Sequence, residues 1–459
     1  MLERLAPYIE KRLRNKSSSS PPSTSFLSSS FVQHYLTKYK LLKLRNTVKY
    51  AYENTRFYHE LFKKNNLKPS DIKSFQDLSK IPFTSSTEIK NAEDFFAVPK
   101  TSFSKVFSSS GTTGKPKRIY FTPNDLNHQI SGIKTGLQLL YHLTPNDVCR
   151  ITYDHGYGID DWGVRYCMGH AVDSIGAMSL FTQLRLSAAE EKKILSMYQA
   201  TVLMGTPSYL NSLTHDLVTD TDLSSFHIKS ILVGTEPLPS AVRSFLVDKW
   251  GANVYQGYGM TEMGTSVAGE CSAQNGMHVT ESDFYPEVIN PKTGELLPNG
   301  EEGELVFTTL SREGMPILRY RTHDLGFIMD EPCSCGLPFS KIKITGRTDK
   351  MLTIGSGDNL YPSAFEDALF ALSFVINYQI ILTRVTNKDH IEVIVETEEQ
   401  VSSYTREIED AVLTLPEISD GINQSKTILP IKVTLVKPHS LNDKRVKAQR
   451  LIDKRKLFS

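Results

Sequence analysis

Apolar positions change their spacing as the chain proceeds, and each change marks a region. From Phe31 to Asn65 they recur at helical intervals (Leu36, Tyr39, Leu42, Leu44, Val48, Ala51), which predicts one or two amphipathic helices. Ahead of them, residues 1–16 suit a short basic helix, and Ser17 to Ser30 is mostly Ser, Thr and Pro, a flexible spacer. Between about 101 and 345, short Val/Ile/Leu runs alternate with helical stretches. Ala200-Thr201-Val202-Leu203-Met204-Gly205 and Ser230-Ile231-Leu232-Val233-Gly234 are apolar runs closing on Gly before a helix-like segment, the pattern of buried parallel strands in α/β units. Past Gly346-Arg347-Thr348-Asp349-Lys350 the texture turns to α+β. Tyr378–Thr383 and Ile391–Thr397 are β-rich and suited to pair as a hairpin, Glu398–Leu415 reads as helix, Ile431–Val436 as strand, and Asp443–Lys456 as a charged tail. The expected fold class is therefore α/β, with a flexible extension over 1–30, a large multi-subdomain region with parallel-rich sheets over 31–348, and a small α+β domain over 349–459. No long internal repeat is present.

One stretch stands outside this patterning. Ser108-Ser109-Ser110-Gly111-Thr112-Thr113-Gly114-Lys115-Pro116-Lys117 packs five hydroxyl residues, two glycines and two lysines into ten positions. Glycine lets the backbone come close, hydroxyls and amides donate, and lysine adds charge, the composition of a loop that wraps polyphosphate. It lies between Val106-Phe107 and Arg118-Ile119-Tyr120-Phe121, which read as two strands of a hairpin. A P-loop is excluded, because Gly111 and Gly114 are too close together and Lys115 precedes Pro116 rather than Ser or Thr. A plain Ser/Gly linker is the bland alternative on composition alone. Ligands of open α/β sheets bind at the carboxyl ends of the strands, where Gly205-Thr206-Pro207 and Gly234-Thr235-Glu236-Pro237 fall.

Bulk properties narrow the class. A chain of 459 residues exceeds one ordinary core, so two or three domains are expected. Lys and Arg number 52 against 51 Asp and Glu, a formal net charge of +1 that argues against a general nucleic-acid or membrane binder. No apolar run approaches a membrane span, and Met1-Leu2-Glu3-Arg4 opens no signal core, so a cytoplasmic protein is expected. Five cysteines are too few for a disulfide framework. Cys271, Cys333 and Cys335 with His278 could instead form a tetrahedral Cys₃His site, typical of structural Zn²⁺; reduced thiols are the alternative, as expected for Cys149 and Cys167.

Three further segments make the loop diagnostic: Tyr258-Gly259-Met260-Thr261-Glu262, Tyr320-Arg321-Thr322-His323-Asp324 and Gly346-Arg347-Thr348-Asp349. In order and spacing the set resembles the adenylate-forming superfamily of acyl-CoA synthetases, adenylation domains and luciferases. Gly303-Glu304-Leu305-Val306-Phe307-Thr308-Thr309-Leu310, Tyr153 to Gly158 and Gly276-Met277-His278 resemble its phenylacetate–coenzyme A ligase branch. The resemblance spans roughly residues 30 to 455. It implies that Ser108, Ser109, Ser110, Gly111, Thr112, Thr113, Gly114 and Lys115 close over the β- and γ-phosphates of ATP. Tyr258, beside Gly259, would stack on adenine, with Gly234, Thr235, Glu236 and Pro237 on the other side of the base. Thr261 would bond the α-phosphate, Glu262 would hold Mg²⁺, Asp324 would accept from the ribose hydroxyls, and Arg347 joins the nucleotide-binding set.

The same resemblance implies a mobile carboxyl-terminal domain swinging about Asp349 and a catalytic Lys447. The sequence around that lysine, Val446-Lys447-Ala448-Gln449-Arg450, has Val where the family has Gly. Tyr153, His155, Tyr157 and Gly158 would wall the acyl pocket. Asp160, Asp161 and Trp162 follow, suggesting a smaller or more polar acid unless the two aspartates only cap a helix. Some members of the branch bind zinc through such cysteines and the Gly-x-His. The implied activity is ATP-dependent conversion of an aryl or small polar acid to its acyl-adenylate, followed by thioester formation with coenzyme A. Gly355-Ser356-Gly357-Asp358-Asn359-Leu360-Tyr361-Pro362 departs from the branch's loop around the pantetheine channel. An acceptor that is a carrier protein or an amine therefore stays open, as do a nucleotide-binding role without catalysis and a homodimer.

Overall fold

A computed structural model of the chain describes residues 30–108, 117–153, 163–181, 186–348, 352–355, 358–441 and 450–455. The basic helix and most of the spacer expected at the amino terminus lie outside these residues, as does most of the charged tail. The described residues fall into two compact units, one drawn from Met1–Thr144, Ile159–Ile175 and Gly257–Thr345, the other from Pro145–Gly158, Gly176–Gln256 and Gly346–Ser459.

The first unit opens with the expected amphipathic pair, resolved as helices Ser30–Asn54 and Arg56–Lys64. Thr55 separates them: its hydroxyl donates back to the Ala51 carbonyl at 2.8 Å and accepts from the Tyr58 amide at 3.2 Å, capping the second helix. Leu44, Val48, Ala51, Tyr58 and Phe62 are fully buried. The predicted hairpin is present as Lys105–Ser108 paired antiparallel with Arg118–Phe121. Helices Pro123–Tyr141 and Gly163–Ile175 follow. The rest of the unit is a sheet in the order Ala268–Glu270, Met277–Val279, Lys341–Arg347, Tyr320–Met329, Gly303–Thr309, Phe284–Ile289.

Here the sequence reading is corrected. Strand–helix alternation was expected to about 345, yet after helix Ser240–Trp250 no described helix occurs before Pro362. The strands over 268–309 instead pair antiparallel with their neighbours. Burial gives the reason in one strand of that sheet, Tyr320–Met329, while Gly303–Thr309 is buried throughout. Val202–Gly205 is buried at every position, whereas Tyr320–Met329 alternates buried with half-buried residues throughout. A period of two is the mark of a strand with one face on the core, which antiparallel pairing tolerates.

The second unit carries the parallel strands, in the order Met178–Phe181, Val148–Ile151, Val202–Gly205, Ser230–Val233 and Asn253–Tyr258. Helices Ala188–Tyr198, Pro207–Val218 and Ser240–Trp250 connect them. The same unit holds a four-stranded sheet ordered Lys432–Val436, Lys388–Glu396, Asn377–Val385, Leu451–Asp453, whose middle pair is the predicted hairpin. The helix read over 398–415 is Ser402–Leu413; a second helix, Pro416–Asn423, starts on the proline that cannot continue the first. One apolar cluster joins Leu210, Leu213, Leu217 and Trp250 to Phe365, Leu369, Tyr378, Val393, Ile408 and Val412. Each such side chain contributes about 1.5–3 kcal/mol on burial. Polar ties cross the same packing: the Trp250 indole donates to Thr214 Oγ1 at 2.8 Å and Asn211 donates to the Ile376 carbonyl at 2.9 Å. No described helix is long and apolar enough to cross a membrane.

Candidate active site and metal cluster

In the first unit, the end of strand Asn253–Tyr258 delivers the Tyr258-Gly259-Met260-Thr261-Glu262 run into a tight turn. A Cβ on Gly259 would lie 1.5 Å from the Thr265 carbonyl oxygen, so only glycine fits. Gly264 and Thr265 have φ of 104° and 108°; for a β-branched threonine that is a strained backbone, of the kind concentrated at functional sites. The turn is held by amides of Gly264 and Thr265 donating to the Met260 carbonyl at 3.0 and 2.9 Å.

Glu262 points its carboxylate inward, with the side chain 7% exposed. Its Oε1 forms an ion pair with Lys117 Nζ and accepts from the Tyr320 hydroxyl at 2.8 Å. Lys117 Nζ also donates to the Tyr320 oxygen at 3.4 Å. Burial opposes ionisation of this carboxyl, but the charge of Lys117 and its hydrogen bond outweigh it and hold the pKa below the ordinary value. The guanidinium of Arg312 donates to the Glu262 backbone carbonyl at 2.7 Å. Beside this group, the Tyr258 hydroxyl donates to Asp324 Oδ2 at 2.5 Å. Asp324 sits on strand Tyr320–Met329, within the register shift between Arg321 and Leu325 where that strand meets Gly303–Thr309. His323 there has φ of 63°, and Glu304, fully buried, receives the Arg321 guanidinium and the His323 amide. The Asp324 amide donates to Thr322 Oγ1 at 2.9 Å. An ionised, buried carboxylate is the kind of oxygen ligand a hard divalent cation takes, and here Lys117 serves as its counter-ion.

The second unit contributes Gly234-Thr235-Glu236-Pro237 after strand Ser230–Val233. Thr235 has φ of 71°, and its buried Oγ1 has no hydrogen-bond partner among the described residues. Glu236 accepts from the Ser208 amide at 3.2 Å, next to Thr206, which caps helix Pro207–Val218. Tyr153 is buried, which pushes its pKa up, and its hydroxyl donates to the Leu232 carbonyl at 3.5 Å. Arg347 closes strand Lys341–Arg347. Ser108 ends the first hairpin strand. Ser109, Ser110, Gly111, Thr112, Thr113, Gly114, Lys115, His155, Tyr157, Gly158, Asp349 and Lys447 lie outside the described residues.

The four predicted metal ligands come together in the first unit. One atom from each of Cys271, His278, Cys333 and Cys335 lies within 4.8 Å of all the others. The Cys271 and Cys333 sulfurs are 3.5 Å apart, and Cys335 Sγ is 3.2 Å from His278 Nε2. His278 Nδ1 faces the Phe339 carbonyl at 3.1 Å; donation there puts the proton on Nδ1 and the lone pair on Nε2, toward the sulfurs. Burial lowers the His278 pKa, favouring the neutral, ligating form. None of the five cysteines forms a disulfide among the described residues.

Sequence reasoning missed Lys117, Tyr320 and Arg312. Two left a signal, since Lys117 closes the hydroxyl-rich stretch and Tyr320 opens the Tyr-Arg-Thr-His-Asp run. Arg312 left none.

The sequence profile of the AMP-binding enzyme family matches residues 44–311, and that of the AMP-binding enzyme C-terminal domain matches 357–455. The chain belongs to the AMP-binding enzyme family. A phenylacetate-coenzyme A ligase of Aromatoleum evansii is 31% identical over 433 residues, 90% of this chain and 96% of that protein. One of Thermus thermophilus is 33% identical over 382 residues, 81% of this chain and 83% of the other. In fold, this AMP-binding enzyme resembles a 2-hydroxyisobutyryl-CoA ligase captured in the postadenylation state, with a TM-score of 0.80 at 22% identity, covering 95% of this chain and 94% of the other. In this AMP-binding enzyme, Tyr258, Glu262 and Asp324 thus lie in one described unit with the strands that flank the hydroxyl-rich stretch.

Proposed function

We propose that this protein is an AMP-forming acid–coenzyme A ligase. In the first step an oxygen of the acid's carboxylate attacks the α-phosphorus of ATP. The bond to the β-phosphate bridging oxygen breaks, and pyrophosphate leaves with its electron pair. In the second, the sulfur of coenzyme A attacks the acyl carbon of the acyl-adenylate and AMP departs. Protein groups assist such transfers chiefly by positioning and by meeting developing charge. The observation that carries the reading is the Glu262–Lys117–Tyr320 cluster beside the Tyr258–Asp324 pair, in a chain of this family.

On this reading Asp324 takes the ribose hydroxyls, Tyr258 and the Gly234–Pro237 segment flank adenine, and Thr261 bonds the α-phosphate. The Thr235 hydroxyl, without a partner among the described residues, supports a polar contact with the base. Mg²⁺, held by Glu262, would supply charge neutralisation at the phosphates. Ser108 to Lys115 would enclose the departing pyrophosphate, and Lys447 would meet charge on the α-phosphate. Asp349 would be the hinge, and Tyr153, His155, Tyr157 and Gly158 the acyl-pocket wall. The Cys271, His278, Cys333 and Cys335 cluster would take zinc; four protein ligands leave no place for substrate, so its part would be structural. Five cysteines without a disulfide agree with a reducing, cytoplasmic setting.

The relatives named for phenylacetate put aryl acids first, and small polar acids second, in the test. ATP–pyrophosphate exchange across such a panel is expected to pick out at least one acid, and Lys447→Ala is expected to abolish exchange while sparing ATP binding. Coenzyme A, carrier-protein and amine acceptors are then compared on the acid that exchanges, with light scattering reporting any homodimer. No exchange with any acid would overturn the proposal.

A further inference from the structure

Arg312 lies in the loop between strands Gly303–Thr309 and Tyr320–Met329, and it is 7% exposed. Three independent contacts fix it. Its Nη1 donates to the Glu262 carbonyl at 2.7 Å. Its guanidinium carbon stands 4.8 Å from the centre of the Phe121 ring, and Phe121 ends the strand that leaves the hydroxyl-rich stretch. The loop that bears it is clamped by Asp125, whose two oxygens accept from the amides of Glu313 at 2.8 Å and Gly314 at 3.1 Å. A Cβ on Gly264 would fall 1.8 Å from Gln129 Nε2 and 2.7 Å from Arg312 Nη2, so the two side chains together fill the space against the turn that carries Glu262.

The charge is not there to hold a ligand. The cavity beside it, lined by Asp125, Gln129, Asp283 and Arg312 among others, measures about 20 Å³, room for one water molecule. Burial lowers the Arg312 pKa to about 10, with Asp125, Asp283 and Glu262 acting against that fall, so the cation persists at neutral pH. Its bond goes to a backbone carbonyl, not to the Glu262 carboxylate, which leaves that carboxylate to its own partners.

We infer that Arg312 is a positioning residue for adenylation, tying the Thr261–Glu262 segment to the root of the phosphate-binding stretch and so fixing where the Glu262 carboxylate faces. The inference rests on the reading of Glu262 as the metal carboxylate. A planar guanidinium can stack on Phe121 and donate in its own plane at once; an ammonium cannot. The effect falls more on the first step, because the pyrophosphate whose metal the Glu262 carboxylate would hold has left before the thioester forms, whereas the α-phosphate beside Thr261 stays.

The test uses the full chain and an acid the unaltered protein accepts. Arg312→Lys, which keeps the charge, is expected to slow ATP–pyrophosphate exchange about tenfold to a hundredfold, the effect of one charge-assisted hydrogen bond. It should raise the Mg²⁺ concentration for half-maximal exchange, and slow thioester formation from supplied acyl-adenylate several-fold less than it slows exchange. Millimolar methylguanidinium should restore part of the exchange lost in Arg312→Ala. An equal fall in both half-reactions, no fall in either, or no restoration in a folded Arg312→Ala would overturn the inference. If Arg312→Ala does not fold, Arg312→Lys decides alone. Glu262→Gln is measured alongside: exchange that survives there refutes the reading of Glu262 itself, whereas loss there with an unaffected Arg312→Lys refutes only the role of Arg312.

Discussion

Lys117→Met is predicted to set stability and activity against each other. The lysine and Glu262 side chains are 21% and 7% exposed, and the Tyr320 hydroxyl and a backbone amide also hydrogen-bond the carboxylate. Removing one member of a buried ion pair costs about 3–5 kcal/mol. The remaining hydrogen bonds place the expected loss at the lower end, about 3 kcal/mol. For a cooperative unit of about 150–250 residues that shifts the melting midpoint by about 6–12 °C. The pH dependence has a definite sign. In the unaltered protein burial raises the Glu262 pKa, but Lys117 outweighs it and the folded value lies below the unfolded one. The stabilisation is therefore complete above the unfolded pKa and fades as pH falls through the folded one. Without Lys117, burial dominates and the sign reverses, so the variant loses stability as pH rises. The gap between the two proteins is widest at neutral pH and narrows toward pH 4. Adding Glu262→Gln to Lys117→Met removes the orphaned charge and should recover most of the midpoint, while ATP–pyrophosphate exchange stays lost. Differential scanning calorimetry at several pH values checks this. A gap below about 1 kcal/mol, a gap independent of pH, or no recovery in the double variant would refute the reasoning.

Three further outcomes are expected. Protein purified without chelator should carry one zinc per chain by elemental analysis, and Cys335→Ser should lose the metal and melt several degrees lower; full metal content in that variant would exclude the four-ligand cluster. Gly259→Ala places a Cβ 1.5 Å from the Thr265 carbonyl, so the turn must shift by about an ångström and exchange should drop about a hundredfold with little change in overall fold by circular dichroism. Normal exchange there would mean the turn is not what positions Thr261 and Glu262. Asp324→Asn should weaken ATP binding about tenfold to a hundredfold in calorimetric titration, as expected for a lost charge-assisted bond; an unchanged affinity would remove Asp324 from the ribose site.

What the sequence disclosed depended on how local the signal was. The parallel strands Val202–Gly205 and Ser230–Val233 were legible because each is a continuous apolar run ending beside a glycine. The hairpin of Asn377–Val385 with Lys388–Glu396 was legible because two β-rich runs stand a few residues apart. The antiparallel strands after Asn253 read as more α/β units because Gly303–Thr309 is buried at every position, as the parallel strands are, and only Tyr320–Met329 alternates buried with half-buried residues. Tyr258, Glu262 and Asp324 were found through ordered motifs, and the cysteines through their uneven placement. Arg312 could not be found that way. Its partners are a backbone carbonyl 50 residues earlier and a ring on a strand still farther back, and neither leaves a mark in the residue's own neighbourhood.

Asp125 has a practical consequence for anyone recombining this protein with its relatives. Its carboxylate closes the capping box of helix Pro123–Tyr141, accepting from the Thr122 amide, and the same two oxygens receive the amides of Glu313 and Gly314. Gly314 is itself hemmed in, with a Cβ there 2.7 Å from that carboxylate. A chimera that exchanges the hydroxyl-rich stretch together with the helix behind it, but keeps the parental 309–317 loop, joins two halves of one fitted part. Crossover points for such libraries therefore belong outside both segments, which should be transplanted as a pair.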